Sequence, residues 1–152
     1  MMQNLYLMFK RCNNRSSGGG SGGSAFSKFS DMLKTNPQDV LPQLSKLVEQ
    51  GTLTKATFTT NGNSVKQQAV EIINGQNRIE VYFNSRYEPT QIINPSQPIK
   101  TGIYATVWEN GNAVAQRTIT ESKTKSVKSA KKQYEDTLDI WKKATKQKSI
   151  KF

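Results

Sequence analysis

The chain has 152 residues, a net charge of +11 and 34% apolar residues. Such a composition suits one domain of about 100–120 residues with modest tails and leaves too little apolar material for two cores. There is no histidine, and Cys12 is the sole cysteine, which excludes a Ser-His or Cys-His nucleophile pair, a His-ligated metal, an internal disulfide and a thiolate cluster.

Charge is unevenly distributed. Residues 1–30 carry +4 with no acid, residues 31–120 carry +1, and residues 121–152 carry +6. Cationic ends around a near-neutral body suit attraction to an anionic surface such as RNA, DNA or acidic lipid. The plainer explanation is solubility with codon bias, since lysine supplies 17 of the 22 basic groups. No stretch reaches the roughly 18 apolar residues of a transmembrane helix. The longest apolar run, Leu5–Phe9, is short for a secretory signal, and no basic residue precedes it. Leu5, Met8, Phe9 and Cys12 can share one helical face, with Lys10, Arg11 and Arg15 around it and a serine-rich stretch before the first acid, Asp31. Basic, serine-rich and acid-free is the composition of a mitochondrial transit peptide. The expected location is therefore the matrix or the matrix face of the inner membrane. The rival reading is a disordered cationic tail. SSGGGSGGS at Ser16–Ser24 reads as a flexible linker. The expected organisation is a targeting-like segment plus linker at 1–24, one α+β domain at 25–148, and a basic tail at 149–152.

Phe26, Phe29 and Leu33 have helical spacing within Ala25–Lys34. After Asn36-Pro37, Asp39 is the expected N-cap of a second helix. Leu41, Leu44, Leu47 and Val48 form its apolar stripe, and Gly51 is its stop. From Thr52 the period changes to two. Asn61-Gly62, Asn74-Gly75 and Asn110-Gly111 each sit between β-rich runs, the strongest short-range hairpin signal. In the first hairpin, a three-residue loop puts Ala56 and Phe58 on the side of Val70, and a two-residue loop reverses them. In the second, a two-residue loop at Asn74-Gly75 sets Glu71 opposite Arg78, as an ion pair, and Val70 opposite Ile79. Val70, Ile72, Ile79, Val81 and Phe83 then share one face, and Glu71, Arg78, Glu80 and Tyr82 the other. Arg86–Lys100 contains three prolines and reads as loop, or as a short edge strand near Gln91–Ile93. The third hairpin joins Gly102–Glu109 to Ala113–Thr120. Its simple register puts Ile103, Ala105, Val107 and Val114 on one face. Tyr104, Trp108, Arg117 and Ile119 take the other, with Tyr104 opposite Arg117.

The last element is a helix over about Lys123–Lys148, with Val127, Ala130, Tyr134, Leu138, Trp141 and Ala144 as its apolar stripe. The fold class is α+β: an antiparallel meander of about five strands, N-terminal helices, and a long C-terminal amphipathic helix packed on one face.

Catalytic patterns do not emerge. No D-x-D, H-E-x-x-H, G-x-S-x-G or Walker motif occurs, and the carboxylates are scattered. The expectation is a protein that is not an enzyme, with no cofactor, no metal and no small-molecule substrate. The candidate contacts for an anion or nucleic acid are Lys128, Lys131, Lys132, Lys142, Lys143, Lys146 and Arg117. Tyr104 and Trp108 form a candidate stacking or packing surface. The preferred placement puts them under the C-terminal helix, with Trp108 against Trp141. The expected role is an accessory or scaffold subunit, or an assembly factor, of a mitochondrial complex, with protein partners. The alternative is sequence-nonspecific RNA or DNA binding, for example beside a mitochondrial ribosome; anionic lipid is a further possible surface.

Overall fold

Two periodicities divide the chain into a helical layer and a sheet. A computed structural model describes residues 19–60, 63–87 and 98–152, with side chains at 25–57, 64–87 and 98–152. Helix α1 spans Gly19–Thr35 and is followed by a 3-10 segment, Pro37–Gln43, and helix α2, Leu44–Gln50. Strands β1 (Thr52–Thr60), β2 (Asn63–Asn74), β3 (Asn77–Ser85), β4 (Ile99–Glu109) and β5 (Asn112–Thr124) follow, and helix α3 is Val127–Ala144. The sheet is antiparallel, in the order β1-β2-β3-β4-β5. The α+β meander expected from the sequence is thus the fold. The leader reading of residues 1–18 and the possible edge strand at Gln91–Ile93 lie outside the described residues.

One face of the sheet carries the core. Val70, Ile72, Ile79, Val81, Phe83 and Ile103 meet Phe26, Phe29, Leu33, Leu44, Leu47 and Trp141 from the helical layer, and all are buried. Trp141 is fully buried, and its indole N–H donates to Gln68 Oε1 at 2.6 Å. The Gln147 amide donates to the same oxygen at 2.7 Å. A polar side chain in the core is stable only when satisfied in this way.

Several boundaries differ from expectation. Helix α1 begins at Gly19, inside the segment read as linker. Each glycine costs a helix about 1 kcal/mol relative to alanine, so the start of α1 depends on the anchoring of Phe26, Phe29 and Leu33 behind it. Asp39 is not an N-cap but lies within the first turn of the 3-10 segment, whose N-cap is Asn36. Lys123 belongs to β5 rather than to the last helix, because Ile99–Thr101 extends β4 and pairs with Ser122–Thr124. Helix α3 begins after Ser126, whose hydroxyl accepts from the Ser129 N–H at 3.2 Å. It ends at Ala144, short of Lys148, with Lys146 in the left-handed region at φ 56°.

The hairpins show how turns set register. The first has a two-residue connection, so Leu53 rather than Ala56 lies opposite the core-facing strand positions, paired with Val70. In the second the loop is Gly75-Gln76, not Asn74-Gly75. Gly75 alone takes positive φ, 63°, as a type II′ turn requires. The pairing moves by two residues, and Glu71 faces Glu80. A two-residue move preserves the faces, so the expected division of apolar and polar side chains is retained. The third turn has positive φ at both Asn110 and Gly111, the type I′ geometry.

Strand β5 departs most. Register shifts interrupt its pairing with β4, leaving Val114 and Ile119 without a directly opposed partner. Each extra residue reverses the alternation beyond it. Arg117 therefore pairs with Ala105 rather than Tyr104, and Ile119 turns into the core at 4% exposure. Val114, expected on the core side, is exposed.

Candidate functional site

The described helices all pack on one face of the sheet, and the other face forms a trough of about 980 Å³. Its lining follows from alternation. Even-numbered positions of β3 and β4 point into it, including Glu80, Tyr82, Asn84, Tyr104, Thr106 and Trp108. Gln67 contributes from β2, and Gln116, Thr118 and Glu121 from β5. Trp108 thus lies on the face opposite Trp141, and the expected packing of these two rings does not occur. Sequence pattern had no means of choosing the covered face, since both carry aromatic side chains.

The Trp108 end rests on a buried ion pair. Arg78 Nη1 donates to Glu71 Oε2 at 2.8 Å, with 4% and 2% of these side chains exposed. The guanidinium also lies 4.4 Å from the Trp108 ring centroid, in cation–π contact. The expected Glu71–Arg78 pair therefore forms, but diagonally across the strands. Glu71 Oε1, Arg78 Nε and Trp108 Nε1 are buried without a hydrogen-bond partner among the described residues.

The centre is a tyrosine pair. The Tyr82 and Tyr104 rings lie 5.5 Å apart, tilted by 36°. The Tyr104 phenol extends along β4 over Gly102 and donates to Glu121 Oε2 at 2.8 Å. A Cβ on Gly102 would fall 2.5 Å from the Tyr104 hydroxyl oxygen, so only glycine permits this pose. Burial raises the pKa of Tyr104, and the neighbouring Glu121 carboxylate adds to the rise. Burial and the charge of Glu80 raise that of Tyr82, against a hydrogen bond from Thr106. Burial acts to raise the Glu121 carboxyl as well, but the Tyr104 hydroxyl, Lys123 and Lys100 together hold it below its ordinary value.

The far end is cationic. Lys123 and Lys100 lie 3.5 and 3.8 Å from Glu121, and Arg86 lines the trough beside them. Between Gln67 and Asn84 an amide–amide hydrogen bond of 3.1 Å closes the β2–β3 side.

The sequence-derived candidates are brought together only in part. Tyr104, Trp108 and Arg117 line the trough. Lys128, Lys131, Lys132, Lys142, Lys143 and Lys146 are on or just beyond α3, in the helical layer on the other side of the sheet. Lys132 pairs with Asp136 and Lys143 with Asp139, each at 3.0 Å. Lys128, Lys131 and Lys146 are exposed and Lys142 is half-buried. The Arg117 guanidinium is not a partner of Tyr104. It donates to the carbonyls of Gln116 at 3.0 Å and of Lys34, in the last turn of α1, at 3.5 Å. Sequence reasoning passed over Tyr82, Arg86 and Lys100. The parity of β3 and β4 points to them once the uncovered face is known.

Among the described residues, no group of three or more Asp, Glu, Cys or His side chains is gathered as for a metal, and no helix is long and apolar enough to cross a membrane. Comparison with protein-family models, curated proteins and solved structures finds no match for the chain.

Proposed function

We propose that this chain is a non-catalytic accessory or scaffold subunit of a larger assembly, holding a partner protein on the open face of its sheet. The observation that carries this reading is the trough itself. Every described helix covers the same face, while the one left open by the described residues presents Tyr82, Tyr104 and Trp108 among mixed charges. Aromatic side chains fixed at an accessible surface are the usual anchors of protein interfaces. The acid-free leader supports a mitochondrial setting. A reporter fused to residues 1–30 tests that part, and a cytosolic reporter would remove it.

The binding role is tested by placing a photo-cross-linking amino acid at Thr118, in the trough, or at Lys131, on the opposite side. A defined protein partner cross-linked in cells from Thr118 and not from Lys131 is the expected result. Cross-links from Lys131 alone would refute the assignment of the face. Turnover of a small molecule by the isolated chain, abolished by one substitution in the trough, would refute the non-catalytic role.

The exposed lysines of α3 favour a second reading, sequence-nonspecific RNA or DNA binding. Counterion release would make such binding fall steeply with salt. Changing Lys128, Lys131, Lys142 and Lys146 to Gln should then remove most of the affinity for a labelled single-stranded RNA at low salt. No binding by the unaltered chain at low salt rejects this reading.

A further inference from the structure

We infer that the trough takes an extended acidic peptide segment of a partner protein, about seven or eight residues long, with its carboxylates at the Arg86 end and a large apolar side chain beside Trp108. The inference rests on the reading of the open face as a partner site and names what that site recognises.

Length excludes most small ligands. Lys100 and Trp108 mark the two ends of the trough and are eight residues apart on β4. At about 3.3 Å per residue this is roughly 25 Å, the span of seven or eight extended residues.

Charge gives the direction. Glu121 is engaged by the Tyr104 hydroxyl and flanked by Lys100 and Lys123. Arg86 has no carboxylate partner among the described residues, so this end has a surplus of positive charge. A guanidinium is the side chain best shaped to receive a carboxylate with two parallel hydrogen bonds.

The middle of the trough discriminates between polymers. Glu80 lines it and is 5% exposed. A single-stranded nucleic acid carries a charge at every nucleotide and would lay phosphates over this carboxylate. A peptide can confine its charge to the Arg86 end and pass Glu80 with neutral residues. At the other end the Trp108 ring lies over Arg78, whose charge is already met by Glu71. That end therefore offers an aromatic surface, and the other cation of the lining, Arg117, is turned to the carbonyls of Gln116 and Lys34.

The test is selection of a random octapeptide phage library on the full chain. The expected result is enrichment of sequences with two or more acids at one end and a large apolar residue at the other. A synthetic peptide of the selected sequence should bind about ten-fold or more weakly to Arg86→Glu and to Trp108→Ala. Its affinity for a Lys131→Gln, Lys142→Gln variant should be unchanged. Lys100→Glu gives an independent second site, and circular dichroism melting confirms that each variant is folded. Selection of the same peptides by Arg86→Glu, or loss of binding with the α3 variant, would overturn the inference, since generic attraction to a cationic chain would then be the cause. Enrichment of nothing by the folded chain also overturns it; a partner cross-linked from Thr118 would nevertheless preserve the site. Tight binding of a labelled single-stranded RNA, weakened by Arg86→Glu, would overturn the peptide class and reassign the trough to nucleic acid.

Discussion

Replacing Arg78 with Met probes the least tolerant contact of the open face. The substitution keeps a stem beneath Trp108 and removes the charge. Glu71 is then left 2% exposed, without its guanidinium, directly opposite Glu80, itself 5% exposed. Removing one partner of a buried ion pair costs about 3–5 kcal/mol. The trough lets water reach the space vacated by the guanidinium, so the lower end of that range, about 3 kcal/mol, is expected. At a urea m-value of about 1.5 kcal/mol/M this lowers the unfolding midpoint by about 2 M. The melting temperature should fall by about 6–12 °C. Pairing Arg78→Met with Glu71→Leu removes the uncompensated carboxylate, and the double variant should return to within about 1 kcal/mol of the parent. Urea titrations of the parent, both single variants and the double variant give the coupling directly. A midpoint shift under about 0.5 M for Arg78→Met, or a double variant that costs the sum of the two singles, would refute the claim that the pair is held by mutual neutralisation.

Further expectations concern the tyrosines, one glycine and one lysine. Tyr82 and Tyr104 have raised pKa values in the folded chain, so their contribution is complete below the unfolded tyrosine pKa and is lost as pH rises above about 10. Tyr104→Phe should flatten this alkaline loss in melting experiments, and absorbance titration should show two tyrosines ionising late. Glu121 has the opposite sign. Its lowered pKa means that its contribution is present above the ordinary glutamate value, about 4.3, and is lost as pH falls through the folded value; Glu121→Gln should reduce that acid sensitivity. Gly102→Ala puts a methyl group where the Tyr104 hydroxyl and the Thr120 carbonyl already lie. It should destabilise the chain by about 1–3 kcal/mol and bring the Tyr104 ionisation back toward its ordinary range. Lys146→Gly should stabilise by about 0.5–1 kcal/mol, because residue 146 is left-handed and its N–H bonds Lys143 O while Gln147 N–H bonds Lys142 O, the Schellman pattern at the end of α3. An unchanged urea midpoint would show that the left-handed position carries no strain.

The strands, their order in a meander and the apolar stripes of the helices were legible in the sequence. Turn chemistry and side-chain periodicity act over a few residues, and those residues are adjacent in the chain. The same locality explains why the division of β2 and β3 into an apolar and a polar face survived an error in the turn. Moving the loop from Asn74-Gly75 to Gly75-Gln76 shifts the partner by two, and a strand repeats every two. It also explains where the reading failed. The register shifts in β5 insert residues that no local pattern announces, and through them Val114 and Ile119 exchange the sides expected of them. The six α3-region lysines looked like one cationic surface with Arg117, Tyr104 and Trp108 only while the chain was a line; the fold keeps the last three at the trough and puts the lysines on the other side of the sheet.

By itself the sequence determined which residues pair as ribbons and which helical sides are apolar, since each is a property of a short stretch of chain. Only the tertiary structure decided that the described helices would all cover one face, leaving the trough between Arg86 and Trp108 on the other. Both faces hold enough aromatic surface to be buried, and the choice came from the fit of Trp141, Phe26, Phe29 and Leu33 against Val81, Phe83 and Ile103. That fit joins residues far apart in the chain, and its free energy appears only when they meet.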